Sequence, residues 1–163
     1  MIILGIDPGT AITGFGVISN KSGELGMIDY GCINTDSKTE MPDRLAEIYS
    51  GINRIINKFK PDVLACEELF FFKNLKTVIT VAQARGVVIA SARLIQIPVA
   101  EYTPLQVKQA ITGYGRADKK QMQRMVQVIL NLDAEPKPDD AADALAVAIC
   151  HANSEKLLNL ISQ

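Results

Sequence analysis

The sequence of 163 residues has no tryptophan, one histidine and three cysteines. The single His151 cannot supply a zinc site built from several histidines or a serine–histidine–aspartate triad, so a histidine base is not predicted for the chemistry. Cys32, Cys66 and Cys150 are odd in number and lack the Cys-x-x-Cys spacing of many metal and redox sites. This usage favours free, buried thiols in a reducing compartment, and we predict a cytoplasmic protein.

Long apolar runs and an excess of positive charge are also missing. No uncharged apolar stretch reaches the length of about 18 residues that indicates a membrane span. The apolar start Met1–Leu4 has no basic segment before it, which is typical of a strand rather than a signal peptide. The net charge of −1 excludes a uniformly basic DNA-binding surface, although basic residues can still be concentrated locally.

What the sequence does contain is the pattern of one α/β domain. Its 48% of hydrophobic residues can fill an ordinary core, and 163 residues suit a single domain. A three-strand meander followed by alternating helices and strands predicts a five-stranded mixed sheet with helices on both faces. The domain is predicted over 1–153, with a loosely packed tail at 154–163. The predicted strands lie near 2–7, 13–19, 25–34, 62–67 and 97–102, and the predicted helices near 42–58, 74–94, 104–111, 118–131 and 139–153.

Acidic residues stand at the ends of two of these strands. Asp7 ends the apolar run 1–6 and precedes a Pro-Gly turn, and Glu67 ends the strand that follows Pro61. A carboxylate at the end of a buried strand is poorly solvated, and it is costly unless a cation, a metal or several donors meet it. For Asp7 the ordinary alternative is a turn residue that hydrogen-bonds its own backbone.

A third acidic group begins the last predicted helix. Asp140 and Asp143 are three residues apart and share one helix face, and the alanines around them allow another backbone to approach closely. With Asp7 and Glu67 they predict a cluster of four carboxylates, which repel one another unless divalent cations lie among them. Hard oxygen ligands favour Mg²⁺ or Mn²⁺ over zinc.

Each of these acids also has an ordinary interpretation. Asp140 could cap the helix and favour its dipole, and Asp143 could be a solvated surface charge. Glu68 could take the role assigned to Glu67, and Asp139 the role assigned to Asp140.

Several short motifs follow one another along the chain. The run ILGIDPGT at 3–10 is followed by TGFGVI at 13–18. Later come EELF at 67–70 with KN at 73–74, QARG at 83–86, QVKQ at 106–109 and DAADALA at 140–146. In this order over residues 1–153, the motifs resemble the RuvC family of bacterial Holliday junction resolvases. A set of matches in this order is more specific than any one motif.

The resemblance implies a ribonuclease-H-like fold, a homodimer and Mg²⁺-dependent cleavage of four-way DNA junctions in recombination and repair. It implies that the catalytic metal ligands are Asp7, Glu67, Asp140 and Asp143. Two Mg²⁺ ions per active site, replaceable by Mn²⁺, would bridge the scissile phosphate. The dimer would make paired symmetric nicks that leave 5′-phosphate and 3′-hydroxyl ends. The family also implies the branch-migration complex of RuvA and RuvB as a partner.

Basic residues are concentrated in two stretches that could bind DNA phosphates. Residues 69–100 hold four basic residues and no acid, and residues 103–124 hold five basic residues and one acid. Ordinary solvated helix faces are the alternative interpretation. The lysines predicted to contact DNA are Lys73, Lys76, Lys108, Lys119 and Lys120.

Three of the five phenylalanines stand side by side at 70–72. Successive side chains of an extended segment point to opposite sides, so at least one is expected at a surface or an interface. The resemblance implies that Phe70 stacks on bases at the junction centre, with Phe72 as a helper. Packing in the dimer interface is the alternative.

Three other functions stay open on the sequence. The stretch 5–10 also resembles the phosphate-binding opening of sugar kinases and chaperone ATPases, but those proteins close two lobes on a nucleotide. A ribonuclease-H-like enzyme that trims structured RNA would share the strand-end acids without needing the phenylalanine run. A non-catalytic junction-binding protein is hard to reconcile with all four acids.

Overall fold

The computed structural model describes the backbone of residues 1–69 and 75–161 and the side chains of residues 1–69 and 78–155. The predicted order of strands and helices is confirmed. The strands are β1 (Ile2–Asp7), β2 (Ile12–Lys21), β3 (Glu24–Asn34), β4 (Val63–Glu67) and β5 (Val99–Tyr102). The helices are α1 (Met41–Phe59), α2 (Leu75–Leu94), α3 (Pro104–Thr112), α4 (Lys119–Ile129) and α5 (Asp139–Ile161).

The last helix runs further than the sequence indicated. Its predicted end near residue 153 was wrong, because α5 continues to Ile161. Residues 154–161 contain no glycine or proline and consist mostly of good helix formers, so nothing local ends the helix. The division into a domain over 1–153 and a tail over 154–163 stays a prediction.

The five strands form one mixed sheet in the order β3-β2-β1-β4-β5. β1 pairs antiparallel with β2, and β2 pairs antiparallel with β3. β4 lies parallel to β1 on its other side, and β5 lies parallel to β4. The carboxyl ends of β1, β4 and β5 therefore meet at one edge of the sheet, where α/β proteins commonly bind ligands.

Helices cover both faces of this sheet, as predicted. Successive side chains of a strand point to opposite faces, so Ile3 packs with α3, α4 and α5, whereas Leu4 packs with α1 and α2. Both side chains are completely buried. The sheet thus separates two apolar cores, and one of them holds α5 against the strand that ends in Asp7.

Glycines in the sheet allow α5 to approach unusually closely. A Cβ atom on Gly5 would overlap the carbonyl oxygen of Ala144, and one on Gly14 would overlap the carbonyl oxygen of Asp140. Because α5 carries small buried alanines on this face, its backbone lies almost directly on β1 and β2. This contact brings the amino-terminal turn of α5 next to the end of β1.

The three cysteines are free, with Cys66 and Cys150 buried and Cys32 half-buried. The prediction of free thiols is confirmed. The prediction that they are buried is confirmed for Cys66 and Cys150 but was wrong for Cys32. No helix in the part of the chain that the structure describes is long and apolar enough to cross a membrane.

Candidate active site

Asp7 occupies the last position of β1, directly opposite Gly14 of β2. Its carboxyl group is largely buried, and its pKa is raised from the ordinary 3.8 to about 7. Burial is the largest cause, the negative charges of Asp143, Glu67 and Asp140 act in the same direction, and the charge of Lys119 lowers the pKa. Ionising the Asp7 carboxyl group at neutral pH therefore has a substantial electrostatic cost.

Glu67 ends β4, the parallel neighbour of β1, and lies at the same edge of the sheet. Burial and the charge of Asp143 raise its pKa to about 7, while the ammonium group of Lys108 acts in the opposite direction. Two carboxyl groups with raised pKa values on adjacent strand ends are typical of a functional site rather than of structural ion pairs.

Asp140 and Asp143 enter this region from the first turns of α5. Burial raises the pKa of Asp143, although the nearby charge of Lys119 lowers it. Asp140 contributes its charge to the shifts at both Asp7 and Asp143. The structure thus brings together all four carboxylates that the sequence singled out, and we call Asp7, Glu67, Asp140 and Asp143 the acidic site.

Lys119 is the first residue of α4 and lies over the acidic site. The helix begins there because Asp118 caps it, with the backbone N–H of Gln121 donating to Asp118 Oδ1 at 2.8 Å. Lys119 Nζ lies 3.3 Å from Asp143 Oδ2 and 3.2 Å from Asp139 Oδ2. The ammonium group is therefore shared between the carboxylates of Asp139 and Asp143.

Asp139 behaves differently from its neighbour Asp140. It is exposed, and the Gln123 side-chain amide donates a hydrogen bond of 2.7 Å to its Oδ1. This hydrogen bond and the ion pair with Lys119 lower the pKa of Asp139. Asp139 is thus engaged with α4 rather than with Asp7.

Among the described residues, no three or more Asp, Glu, His or Cys side chains already form a group that could hold a metal ion. The carboxylates are therefore near one another without enclosing a ready-made coordination shell. Lys119 Nζ, 3.3 Å from Asp143 Oδ2, contacts one member of the acidic site directly.

A cavity of about 220 Å³ opens between β4, α3, α4 and α5. Its polar lining consists of the carboxylates of Glu67 and Asp143 and the ammonium groups of Lys108 and Lys119. Two acids and two lysines thus line one space that is large enough for a phosphate group. Apolar side chains, including Val107 and Met122, form the rest of its wall.

The other residues predicted to bind DNA are placed unevenly. Phe70, Phe72 and Lys73 lie outside the described residues, and Lys76 lies on α2 with its side chain outside them. Lys120 is exposed on α4, beside Lys119.

The contacts of Arg85 were not predicted from the sequence. Its Nε atom donates to the Glu67 carbonyl oxygen at 3.2 Å, and its Nη2 atom lies 2.7 Å from Glu101 Oε2 on β5. Arg85 thereby joins the carboxyl end of β4 to β5 and orients the backbone that carries Glu67. Its position in the QARG segment was the only available signal, and it carried no indication of this contact.

Comparison with known proteins identifies the family of the chain. The model of the crossover junction endodeoxyribonuclease RuvC family matches residues 3–151. The RuvC of Syntrophomonas wolfei is 56% identical over 161 residues, covering 99% of this chain and 94% of its own. The RuvC of Desulfitobacterium hafniense is 57% identical over 159 residues, covering 98% and 96%.

Solved structures give the same result. Thermus thermophilus RuvC in complex with Holliday junction substrate superimposes with a TM-score of 0.91 at 34% identity, covering 96% of each chain. The yeast mitochondrial Holliday junction resolvase Ydc2, at 16% identity and a TM-score of 0.69, shares the fold. The ribonuclease-H-like fold and the resemblance noted in the sequence are confirmed, and the chain belongs to the RuvC family of crossover junction endodeoxyribonucleases.

Proposed function

We propose that this chain resolves four-way (Holliday) DNA junctions in recombination and repair, and that the acidic site is where it hydrolyses the phosphodiester. The observation that carries the proposal is the pair of partly buried carboxyl groups of Asp7 and Glu67 on adjacent strand ends, whose pKa values are raised to about 7. Such a cost is tolerated where a positively charged ligand binds.

The donor set of the acidic site fits Mg²⁺. It offers only carboxylate oxygens, which are hard ligands, and contains no cysteine or histidine that would favour zinc. The residues that would hold the metal are Asp7, Glu67, Asp140 and Asp143. Two Mg²⁺ ions per site, with Mn²⁺ able to replace them, would balance four anionic side chains. When bound, such ions supply an activated water and stabilise the departing 3′ oxygen.

The other side chains of the site bind and orient the substrate. Lys108 and Lys119 line the cavity beside Glu67 and Asp143, where they would hold the oxygens of the scissile phosphate and offset the charge that develops on it. Arg85 keeps Glu67 in place through its backbone carbonyl. Attack on phosphorus opposite the 3′ oxygen leaves a 5′-phosphate and a 3′-hydroxyl.

Further DNA contacts follow the sequence predictions. Lys73, Lys76 and Lys120 would bind phosphates away from the cleaved bond. Phe70 would stack on bases at the junction centre, with Phe72 beside it.

A homodimer would place two acidic sites on one junction and produce paired symmetric nicks. Exposed apolar side chains on and just after α2 support a protein interface, since Ile79, Leu94 and Ile95 are 61%, 74% and 51% exposed. Two copies related by a two-fold axis match the symmetry of a four-way junction. RuvA and RuvB as partners, and a cytoplasmic location, belong to the same proposal.

The experiment that tests this function compares a mobile four-way DNA junction, a linear duplex and an RNA hairpin, each with and without Mg²⁺. Paired Mg²⁺-dependent nicks on the junction alone are expected. Cleavage of the RNA instead would favour the ribonuclease reading, and tight junction binding without any cleavage would mean that the acids do not form a working metal site.

Asp7→Asn is the matched variant for this experiment. It keeps the shape of the side chain and removes its charge, so the fold and junction binding should persist while cleavage falls by several orders of magnitude. Cleavage near the wild-type rate would contradict the assignment of Asp7.

A further inference from the structure

We propose that Arg44 and Thr10 form a second phosphate-binding subsite. It holds a phosphodiester adjacent to the cleaved one in the same DNA strand. The subsite is an open depression of about 370 Å³ that Asp140 helps to line, and it shares no lining residue with the cavity that holds Lys108 and Lys119. Its walls are the loop after β1, the start of α1 and residues 80–81 of α2. The inference rests on the proposed junction-cleaving function.

Arg44 is anchored in this depression by one side of its guanidinium group. Its Nε atom donates to Thr35 Oγ1 at 2.8 Å, and Thr35 Oγ1 in turn donates to the Thr10 carbonyl oxygen at 2.6 Å. The backbone N–H of Thr35 donates to the Ala11 carbonyl oxygen at 3.0 Å. Arg44 is thus tied to the loop that begins just after Asp7, and within the described part of the chain its terminal amino groups form no hydrogen bond or ion pair that would compete with a ligand.

No carboxylate neutralises this arginine within the described part of the chain. The ion pairs there involve Lys58, Arg85 and Lys119 but not Arg44. An arginine that is preorganised through Nε and lacks an acidic partner is well suited to a bidentate contact with a phosphate.

Thr10 provides the second observation. The residue is only 7% exposed and lines the depression, yet its Oγ1 atom has no hydrogen-bond partner among the described residues. A buried hydroxyl without a partner is costly, and such groups are commonly satisfied by a ligand or water. A phosphate oxygen is an acceptor for this hydroxyl as well as for Arg44.

Asp140 also lines the depression and would repel a phosphate on its own. Arg44, which lines the same depression, offsets this repulsion. In the proposed function the charge of Asp140 is also balanced within the acidic site, so the subsite becomes most favourable once that site is loaded. A strand crossing the end of β1 would then be held on both sides of the scissile phosphate, by the lysines on one side and by Arg44 on the other.

The test measures the affinity of a fluorescent four-way junction as a function of salt, with Ca²⁺ in place of Mg²⁺ so that the DNA stays intact. Arg44→Met should weaken binding about tenfold, as expected for a lost charge-assisted hydrogen bond. It should also flatten the log–log salt dependence by about 0.9. Arg54→Met is the matched control, because Arg54 is exposed on the same helix and away from the depression.

Thr10→Val guards against a trivial loss of folding. It removes the unpartnered hydroxyl and keeps the shape of the side chain, so thermal stability should be maintained while junction affinity falls severalfold. The proposal would be overturned if Arg44→Met bound the junction more weakly only because its melting temperature was lowered, while Thr10→Val bound the junction as tightly as wild type.

The contacted phosphate can be located by replacing single phosphodiesters around the cleavage position with neutral methylphosphonates. One position should weaken binding by wild-type protein and have no further effect on Arg44→Met. Equal effects on both proteins would overturn the inference. It would also be overturned if inorganic phosphate stabilised the wild-type protein but not Arg44→Met, while the salt dependence of junction affinity was the same for both. If wild-type protein binds and cleaves junctions while Arg44→Met binds identically, only the subsite fails; if wild-type protein ignores junctions, the proposed function fails.

Discussion

Lys119 Nζ lies 3.3 Å from Asp143 Oδ2 and thereby joins the first residue of α4 to the first turns of α5. The same ammonium group contacts Asp139, so one lysine is shared between two acids. The negative charges of these acids raise the pKa of Lys119 despite the opposing effect of partial burial. A divalent cation that binds Asp143 must compete with this lysine.

Removing the competing charge should therefore strengthen metal binding. Lys119→Met is expected to increase the affinity of the DNA-free protein for Mn²⁺ about two- to fivefold, the range of an exposed ion pair. Titration followed by electron paramagnetic resonance measures the free Mn²⁺ directly. Lys120→Met is the control, because Lys120 is exposed and adjacent in sequence, and it should leave the affinity unchanged. Equal affinities in all three proteins would show that Lys119 does not compete with the metal ion for Asp143.

The raised pKa values of Asp7 and Glu67 predict how stability depends on pH. Their values rise from 3.8 and 4.5 to about 7 on folding, so the metal-free native state favours the protonated acids. The stability that this preference contributes is fully present below about pH 4 and is lost as pH rises through about 7. Chemical denaturation in EDTA at a series of pH values measures this loss.

Asp7→Asn should remove much of that loss, because asparagine resembles the protonated acid. At pH 8 without metal the variant is expected to be more stable than wild type by roughly 2–4 kcal/mol, as a shift of this size implies. Asp133→Asn is the control and should change little, because Asp133 is exposed and is not among the charges that shift the pKa of Asp7 or Glu67. Added Mg²⁺ should stabilise wild type more than Asp7→Asn. Parallel pH profiles for wild type and Asp7→Asn would contradict the assigned electrostatics.

Asp139 and Asp140 form an adjacent matched pair for testing which acid takes part in the chemistry. Asp140 acts on Asp7, whereas Asp139 is exposed and bonded to Gln123 and Lys119. Asp140→Asn is expected to lower single-turnover cleavage of a four-way junction at least about 100-fold, as for loss of a transition-state contact. Asp139→Asn should stay within a fewfold of wild type. The reverse order of the two rates would assign Asp139 as the ligand instead.

The close contact between β2 and α5 makes Gly14 a sensitive position. Gly14→Ala would drive a methyl group into the Asp140 backbone, and the unfolding free energy should fall by roughly 2–4 kcal/mol. Metal binding should weaken as well, because α5 carries two of the four acids. Gly86→Ala on α2 is the contrasting change, since no described atom lies within 4 Å of its new methyl group. Higher helix propensity should stabilise that variant by up to about 1 kcal/mol, measured by denaturation of both proteins.

Much of the fold could be predicted because its signals are local. Apolar strands bounded by Pro-Gly turns, and helices opened by Pro42 or Pro104, depend on neighbouring residues alone. The end of α5 was missed because no local residue stops the helix. The contact between Arg85 and the Glu67 backbone could not be predicted either, because it joins residues 18 positions apart that belong to different elements.

By itself, the sequence determined the order of the elements, the placement of Asp7 and Glu67 at strand ends, and the family that the comparisons confirm. These follow from periodicity, turn chemistry and motif order along the chain. The tertiary structure decided which acids meet. The packing of α5 on glycines of β1 and β2 brings Asp140 toward Asp7, whereas its neighbour Asp139 is bonded to Gln123 of α4. It also decided that Lys119 covers Asp143 and that Arg44 faces an open depression. Charges act through space, so their partners are set by packing and not by position in the sequence.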